Sequence, residues 1–241
     1  MSSAAILPGD PPLDVVLRRS ARARRLSLRV SRLDARVTLT VPAALDKRTA
    51  LAFLHEKEPW LRATLSTLPA RVAVRPGVRV PVHGEPRLLR VASVPRVVAA
   101  PGALLLPPDP AGTRSGARVA AFLRAQARDD LTAACARHAA ALGREFSAIA
   151  LRDTRSRWGS CSAAGRLMFS WRLVMAPPQV LDYVAAHEVA HLAQMNHSPA
   201  YWAEVARLMP DHAAPRAWLR RHGAALHRFD FAATDAGGAG R

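Results

Sequence analysis

The sequence predicts an α+β protein in two regions. A strand-rich stretch covers residues 1–110, and a helical core that includes a small antiparallel sheet covers 111–241. Three observations carry this reading. Short runs in which apolar and polar residues partly alternate fill the first hundred residues, and helix-period segments dominate the rest. Between them, PPDPAGTRSG (107–116) is the sharpest break in composition. With 241 residues, half of them hydrophobic, the chain has enough apolar surface for one or two cores, which excludes disorder as its main state.

In chain order, DVVLRRS, RRLSLRVSR and RVTLTVP, all within 14–42, read as three antiparallel strands stopped by Val41-Pro42. Asp46 is a candidate N-cap for the segment 47–68, where Leu51, Phe53, Leu54, Trp60 and Leu61 follow a helical period. Pro59 lacks an amide hydrogen and should kink or divide that helix. From Val72 to Leu106, Val-rich and Leu-rich runs broken by Pro76-Gly77, Gly84, Pro86, Pro95 and Pro101-Gly102 predict a second set of strands and turns. A helix follows from Ala117 to Leu142, stopped by Gly143. In one of two readings of the segment between them, residues 147–153 and 166–174 form a tight hairpin held by Gly159 and Gly165, and DAGGAGR at the end reads as a loose tail.

The formal charge is +17, from 35 Lys and Arg against 18 Asp and Glu, and only Lys47 and Lys57 are lysines. Residues 1–100 hold 18 basic and 7 acidic residues, net +11. Eight arginines fall between Arg18 and Arg36 against one acid, Asp34. On an alternating ribbon they either form a solvated face or a contact surface for nucleic acid or another anionic partner, although no aromatic residues interleave to stack on bases. Cys135 and Cys161 are too few for a disulfide framework or a multi-cysteine zinc site. The first residues lack a signal-peptide pattern and no 18-residue apolar run occurs, so the expectation is a cytoplasmic protein without a membrane span.

The chemistry concentrates in VAAHEVAHLAQMNH, 184–197. His187 and His191 are four apart, so on a helix they lie one above the other and can share a metal ion. Glu188 is rotated about 100° from His187, where a carboxylate reaches metal-bound water without being a ligand. Small and apolar residues, Val184, Ala185, Val189, Ala190 and Leu192, surround the motif, and Pro177-Pro178 suits a first helical turn. HEKEP, starting at His55, is no second copy, because Pro59 replaces the second histidine. A third ligand leaves one tetrahedral position open. His197 is the best candidate, with Asn196 before it able to turn the chain in a left-handed conformation; Glu204 and the pair Asp211-His212 are rivals. Arg157, Trp158, Ser160 and Cys161 are candidate cleft or substrate-binding residues, or else parts of a packed hairpin. Tyr183, Tyr201 and Trp202 read as core.

TRSRWGSCS (154–162), WRLVMAPPQVLDYVAAHEVAHL (171–192), MNHSPAYW (195–202) and LMPDHAAPRAWLRRHG (208–223) resemble the YgjP-like metallopeptidase domain family, related to the SprT-like and WLM-type zinc proteases. Ser170 departs from the asparagine expected before Trp171. The resemblance implies a zincin-like core with one Zn²⁺ per chain held by His187, His191 and His197, and Glu188 as general base toward zinc-bound water. It implies a protein or peptide substrate, and the smaller relatives act on DNA-bound protein. Two other functions stay open: a metal-dependent nucleoside triphosphate (phosphoanhydride) hydrolase, and a basic nucleic-acid-binding protein with a structural metal.

Overall fold

The computed structural model describes residues 2–31, 35–67 and 70–232, so Asp34 and the expected DAGGAGR tail lie outside the described residues. The chain divides into two compact units, Met1–Arg71 and Val72–Arg241.

In the first unit, β1 (Ser2–Leu7), β2 (Leu13–Ser20), β3 (Ser27–Val30) and β4 (Val37–Pro42) form one sheet in the order β1-β2-β4-β3. The outer pairs are antiparallel, but β2 and β4 run parallel, which corrects the expectation of three antiparallel strands. The reason lies in the side chains. β4 supplies Val37, Leu39 and Val41, all buried, and takes a central place, whereas Leu28 and Val30 of β3 are only partly buried at the edge. α1 (Lys47–Glu56) and α2 (Glu58–Ser66) cover the inner face through Ala50, Leu54 and Leu61. Asp46 caps α1 as expected: its Oδ1 accepts the Thr49 amide at 2.7 Å, and this pairing holds its carboxyl below the usual range. Pro59 lies in the first turn of the second helix and divides the two as expected; Leu61 is buried on the stripe of Ala50 and Leu54, and Trp60, one position off that stripe, is left about half exposed.

The second unit contains β5 (Val72–Ala73), β6 (Arg79–Val82), β7 (Glu85–Val91), β8 (Val98–Ala100), β9 (Ala103–Leu106), α3 (Ser115–Leu142), β10 (Ala148–Arg152), β11 (Gly159–Cys161), β12 (Arg166–Ser170), a 3-10 turn (Trp171–Met175), α4 (Pro178–Ala190), α5 (Pro199–Leu208), α6 (Ala213–Leu226) and β13 (Phe229–Asp230). The strands from 72 to 106 share one core with α3 and α4, so the chain divides at 71/72 and not at the expected 110/111. The break at 107–116 is a turn and a cap. Asp109 accepts the Arg114 and Ser115 amides at 2.7 and 2.8 Å and starts α3, which Gly143 ends in the left-handed conformation at φ 68°.

Two features set the start of α4. His83-Gly84 forms the two-residue turn between β6 and β7, both with positive φ, and the His83 and Gly84 amides donate to the Val174 and Met175 carbonyls. Gly84 lies so close that a Cβ there would be 3.1 Å from Pro177. From α3, His83 is met by Asp130 at 2.7 Å, and Asp182 of α4 is met by His138 at 2.9 Å and Arg137 at 3.0 Å.

The sheet beside α4 has the order β10-β12-β11, with β10 and β12 parallel and β11 antiparallel to β12. It is therefore mixed, and the expected hairpin of 147–153 with 166–174 is replaced by a shorter one between β11 and β12. Arg172 is buried in the 3-10 turn and makes a bidentate pair with Asp153, at 2.7 and 3.1 Å, while its Nη1 donates to the Leu226 and Phe229 carbonyls at 3.0 Å each. Among the described residues, no helix is long and apolar enough to cross a membrane.

Candidate metal centre

α4 presents His187 and Glu188 from its last turn and ends on His191. Three tight backbone bonds then fold the chain back: the Leu192 amide to Val189, and the Ala193 and Gln194 amides to Ala190. Asn196 does not take the expected left-handed conformation; its side-chain oxygen instead accepts the Ser198 amide at 3.3 Å. Ser198 in turn caps α5 by accepting the Tyr201 amide. His197 is held between that turn and that cap, which is the physical content of the NHS sequence.

The result brings His187, His191 and His197 together, with ligand atoms all within 4.8 Å of one another. The Nε2 atoms of His187 and His197 face each other at 3.3 Å. Facing ring nitrogens need a shared proton or a cation between them. Two nitrogens each 2.0–2.1 Å from a tetrahedral zinc are about 3.3 Å apart, so the donor set and this spacing fit Zn²⁺. Burial pushes the His187 imidazole down to about 4 and lowers that of His191, which keeps both neutral with a lone pair free at neutral pH. His191 is oriented by its Nδ1, 3.0 Å from the Gln194 carbonyl, which leaves Nε2 as the ring nitrogen available to a metal. His187 Nδ1 is buried with no hydrogen-bond partner among the described residues, so packing orients that ring, with Tyr183, Tyr201 and Trp202 around it.

Glu188 is buried beside this cluster, and burial raises its carboxyl to about 7, with the Arg157 charge opposing the rise. The rival ligands stand apart from the cluster. Glu204 pairs with Arg207 at 2.8 Å, and His212 Nδ1 lies 3.1 Å from the Met209 carbonyl.

Of the four candidate cleft residues, Arg157 is exposed and near enough to act on Glu188. Trp158 is packed: its ring lies 5.0 Å from His227 and against Gly223. Ser160 and Cys161 sit on β11, one of the two edge strands of its sheet, and burial raises the Cys161 thiol, which disfavours a thiolate nucleophile. Ser170 is buried and its hydroxyl has no partner among the described residues. Sequence reasoning assigned Tyr201 to the core and missed its second part, since its hydroxyl donates to the His187 carbonyl and its ring touches all three histidines.

Three clustered imidazoles beside a buried carboxyl are the equipment of a metal-dependent hydrolase. The sequence model of the family described as YgjP-like, metallopeptidase domain, matches residues 24–222. The chain belongs to that metallopeptidase family, whose members carry a metal and act on protein or peptide. Among solved structures, the metallopeptidase zymogen abylysin of Pyrococcus abyssi is similar at 20% identity and a TM-score of 0.35, over 39% of this chain and 92% of that one. No curated protein matches the chain.

Proposed function

We propose that the protein is a zinc peptidase in which His187, His191 and His197 hold the ion and Glu188 is the general base. The observation that carries this reading is the three-imidazole cluster beside one buried carboxyl. When bound, zinc supplies Lewis acidity toward a peptide carbonyl and acidifies water. Glu188 takes the proton of the attacking water and hands it to the leaving amine. Arg157 favours the ionised carboxylate that must accept that proton.

Two features suit a peptide. β11, whose face at Gly159 is packed by Glu188, has one edge without a strand partner among the described residues, where an extended chain can add by backbone hydrogen bonding. A groove of about 570 Å³ continues from His191 past Leu192, Met195, Phe146 and Gly165, with room for a substrate side chain. Phosphoanhydride hydrolysis is disfavoured because Mg²⁺ prefers carboxylates to three ring nitrogens. A purely structural metal is disfavoured because the cluster has no fourth protein ligand among the described residues.

The deciding experiment compares the zinc-loaded protein with Glu188→Gln on fluorescently labelled casein. The expected result is about one zinc per chain in both and a loss of turnover of about 10²–10⁴-fold in the variant. Equal turnover removes Glu188 from the role.

We further propose that the first unit binds nucleic acid. Arg18 and Arg29 lie opposite Thr40 and Thr38 on the outer face of its sheet, and Arg22, Arg24 and Arg25 are exposed in the connection between β2 and β3. None of these five makes an ion pair among the described residues. The test is duplex DNA binding against salt: reversal of all five charges abolishes it, and an unchanged affinity overturns it. The free thiols suit a reducing compartment, in keeping with a cytoplasmic protein.

A further inference from the structure

The RWGSC segment invites a role for its glycine. Gly159 does not occupy the left-handed region, so its backbone could carry a side chain. Space forbids it. A Cβ on Gly159 would stand 2.5 Å from Glu188 Oε1, 2.6 Å from Cγ and 2.8 Å from Cδ. Three atoms along the side chain are hit, including the one nearest the helix, so a turn of the carboxyl tip alone gives no relief. Glu188 is itself only 5% exposed and has little room to retreat.

The strand cannot retreat either. Gly159, Ser160 and Cys161 are in register with Phe169, Met168 and Leu167 of β12, and the Ser170 amide donates to the Trp158 carbonyl at 2.8 Å. The Trp158 indole is wedged against α6, where a Cβ on Gly223 would be 3.0 Å from it. Two glycines therefore act in series: Gly223 lets Trp158 seat, Trp158 fixes β11, and Gly159 leaves the gap that Glu188 fills.

We propose that Gly159 is a positioning residue for Glu188, the absent side chain being the space in which the acid is held, with Trp158 seated on Gly223 setting the distance of the strand. The effect on turnover rests on the peptidase reading; the contact itself does not. The experiment is a pair of substitutions in the full, zinc-loaded chain. Gly159→Ala is expected to keep about one zinc per chain and an unchanged KM for labelled casein while kcat falls about a hundredfold, as displacement of a reacting group by about 1 Å does. It is also expected to lower the thermal midpoint in the wild-type background and not in a Glu188→Ala background, where the gap is vacant. An equal fall in both backgrounds overturns the proposal, because the glycine would then serve the strand alone; so does unchanged turnover. If Gly159→Ala fails to fold, recovery in the Glu188→Ala background supports the contact and failure there overturns it. If the wild type cleaves nothing, the peptidase reading falls and the midpoints still decide the contact.

Discussion

The ring of Tyr201 lies 4.5 Å from that of His191 and 26° from parallel, while its hydroxyl donates to the His187 carbonyl at 2.9 Å. One fully buried side chain on α5 thus fixes two histidines of α4. It also answers a need of the helix, whose last carbonyls lack intrahelical donors. Tyr201→Phe keeps the stack and removes the bond, and should cost about 1 kcal/mol in urea unfolding with zinc content retained. Tyr201→Ala should cost about 3–5 kcal/mol and weaken zinc binding.

His197 is exposed and sits in the turn after α4, so its loss should leave the fold intact. Elemental analysis of His197→Ala is expected to show far less than one zinc per chain with an unchanged far-ultraviolet circular dichroism spectrum. Glu204→Ala and His212→Ala should both retain the metal. Retention in His197→Ala would return the third position to one of these rivals.

The hydrogen bond from His138 holds the Asp182 carboxyl below its ordinary value, helped by Arg137. A depressed carboxyl stabilises the fold above its unfolded pKa of about 3.9, and that contribution is lost as pH falls through the lower, folded value. Asp182→Asn should therefore be less stable than wild type by about 1–3 kcal/mol at pH 7. The gap should close progressively below about pH 4. Denaturant midpoints taken across pH 3–7 would check it; a constant gap would mean that the charge is not what matters.

Arg172 satisfies two carbonyls and Asp153 from a buried position. Arg172→Met should lower stability by about 3 kcal/mol, since three acceptors lose their donor at once. Arg172→Lys should recover little, because an ammonium cannot reproduce the planar fork. Chemical denaturation of the two variants compares these directly.

Much of the site was legible because its logic is local. His187 and His191 need only one helical turn between them, and Asp46, Pro59 and Gly143 act within a few residues of themselves. What escaped depends on distant partners. No pattern within 14–42 tells β4 to slide between β2 and β3, because that choice turns on which strand offers the more apolar inner face to α1 and α2. Composition marked 107–116 as a boundary, yet Asp109 uses that segment to start a helix whose core partners lie on both sides of it. The value of Trp158 and Gly159 is set by Gly223 and Glu188, both well downstream in sequence.

The second unit opens with β5 and closes, among the described residues, with β13, and these two strands pair in parallel, the Val72 amide donating to Arg228 and the Val74 amide to Asp230. Val72 and Phe229, 157 positions apart in the chain, are thus about 4.8 Å from one another, one strand spacing. The pairing ties the first strand of the unit to the strand that follows α6, so neither can peel away without breaking the backbone bonds of the other.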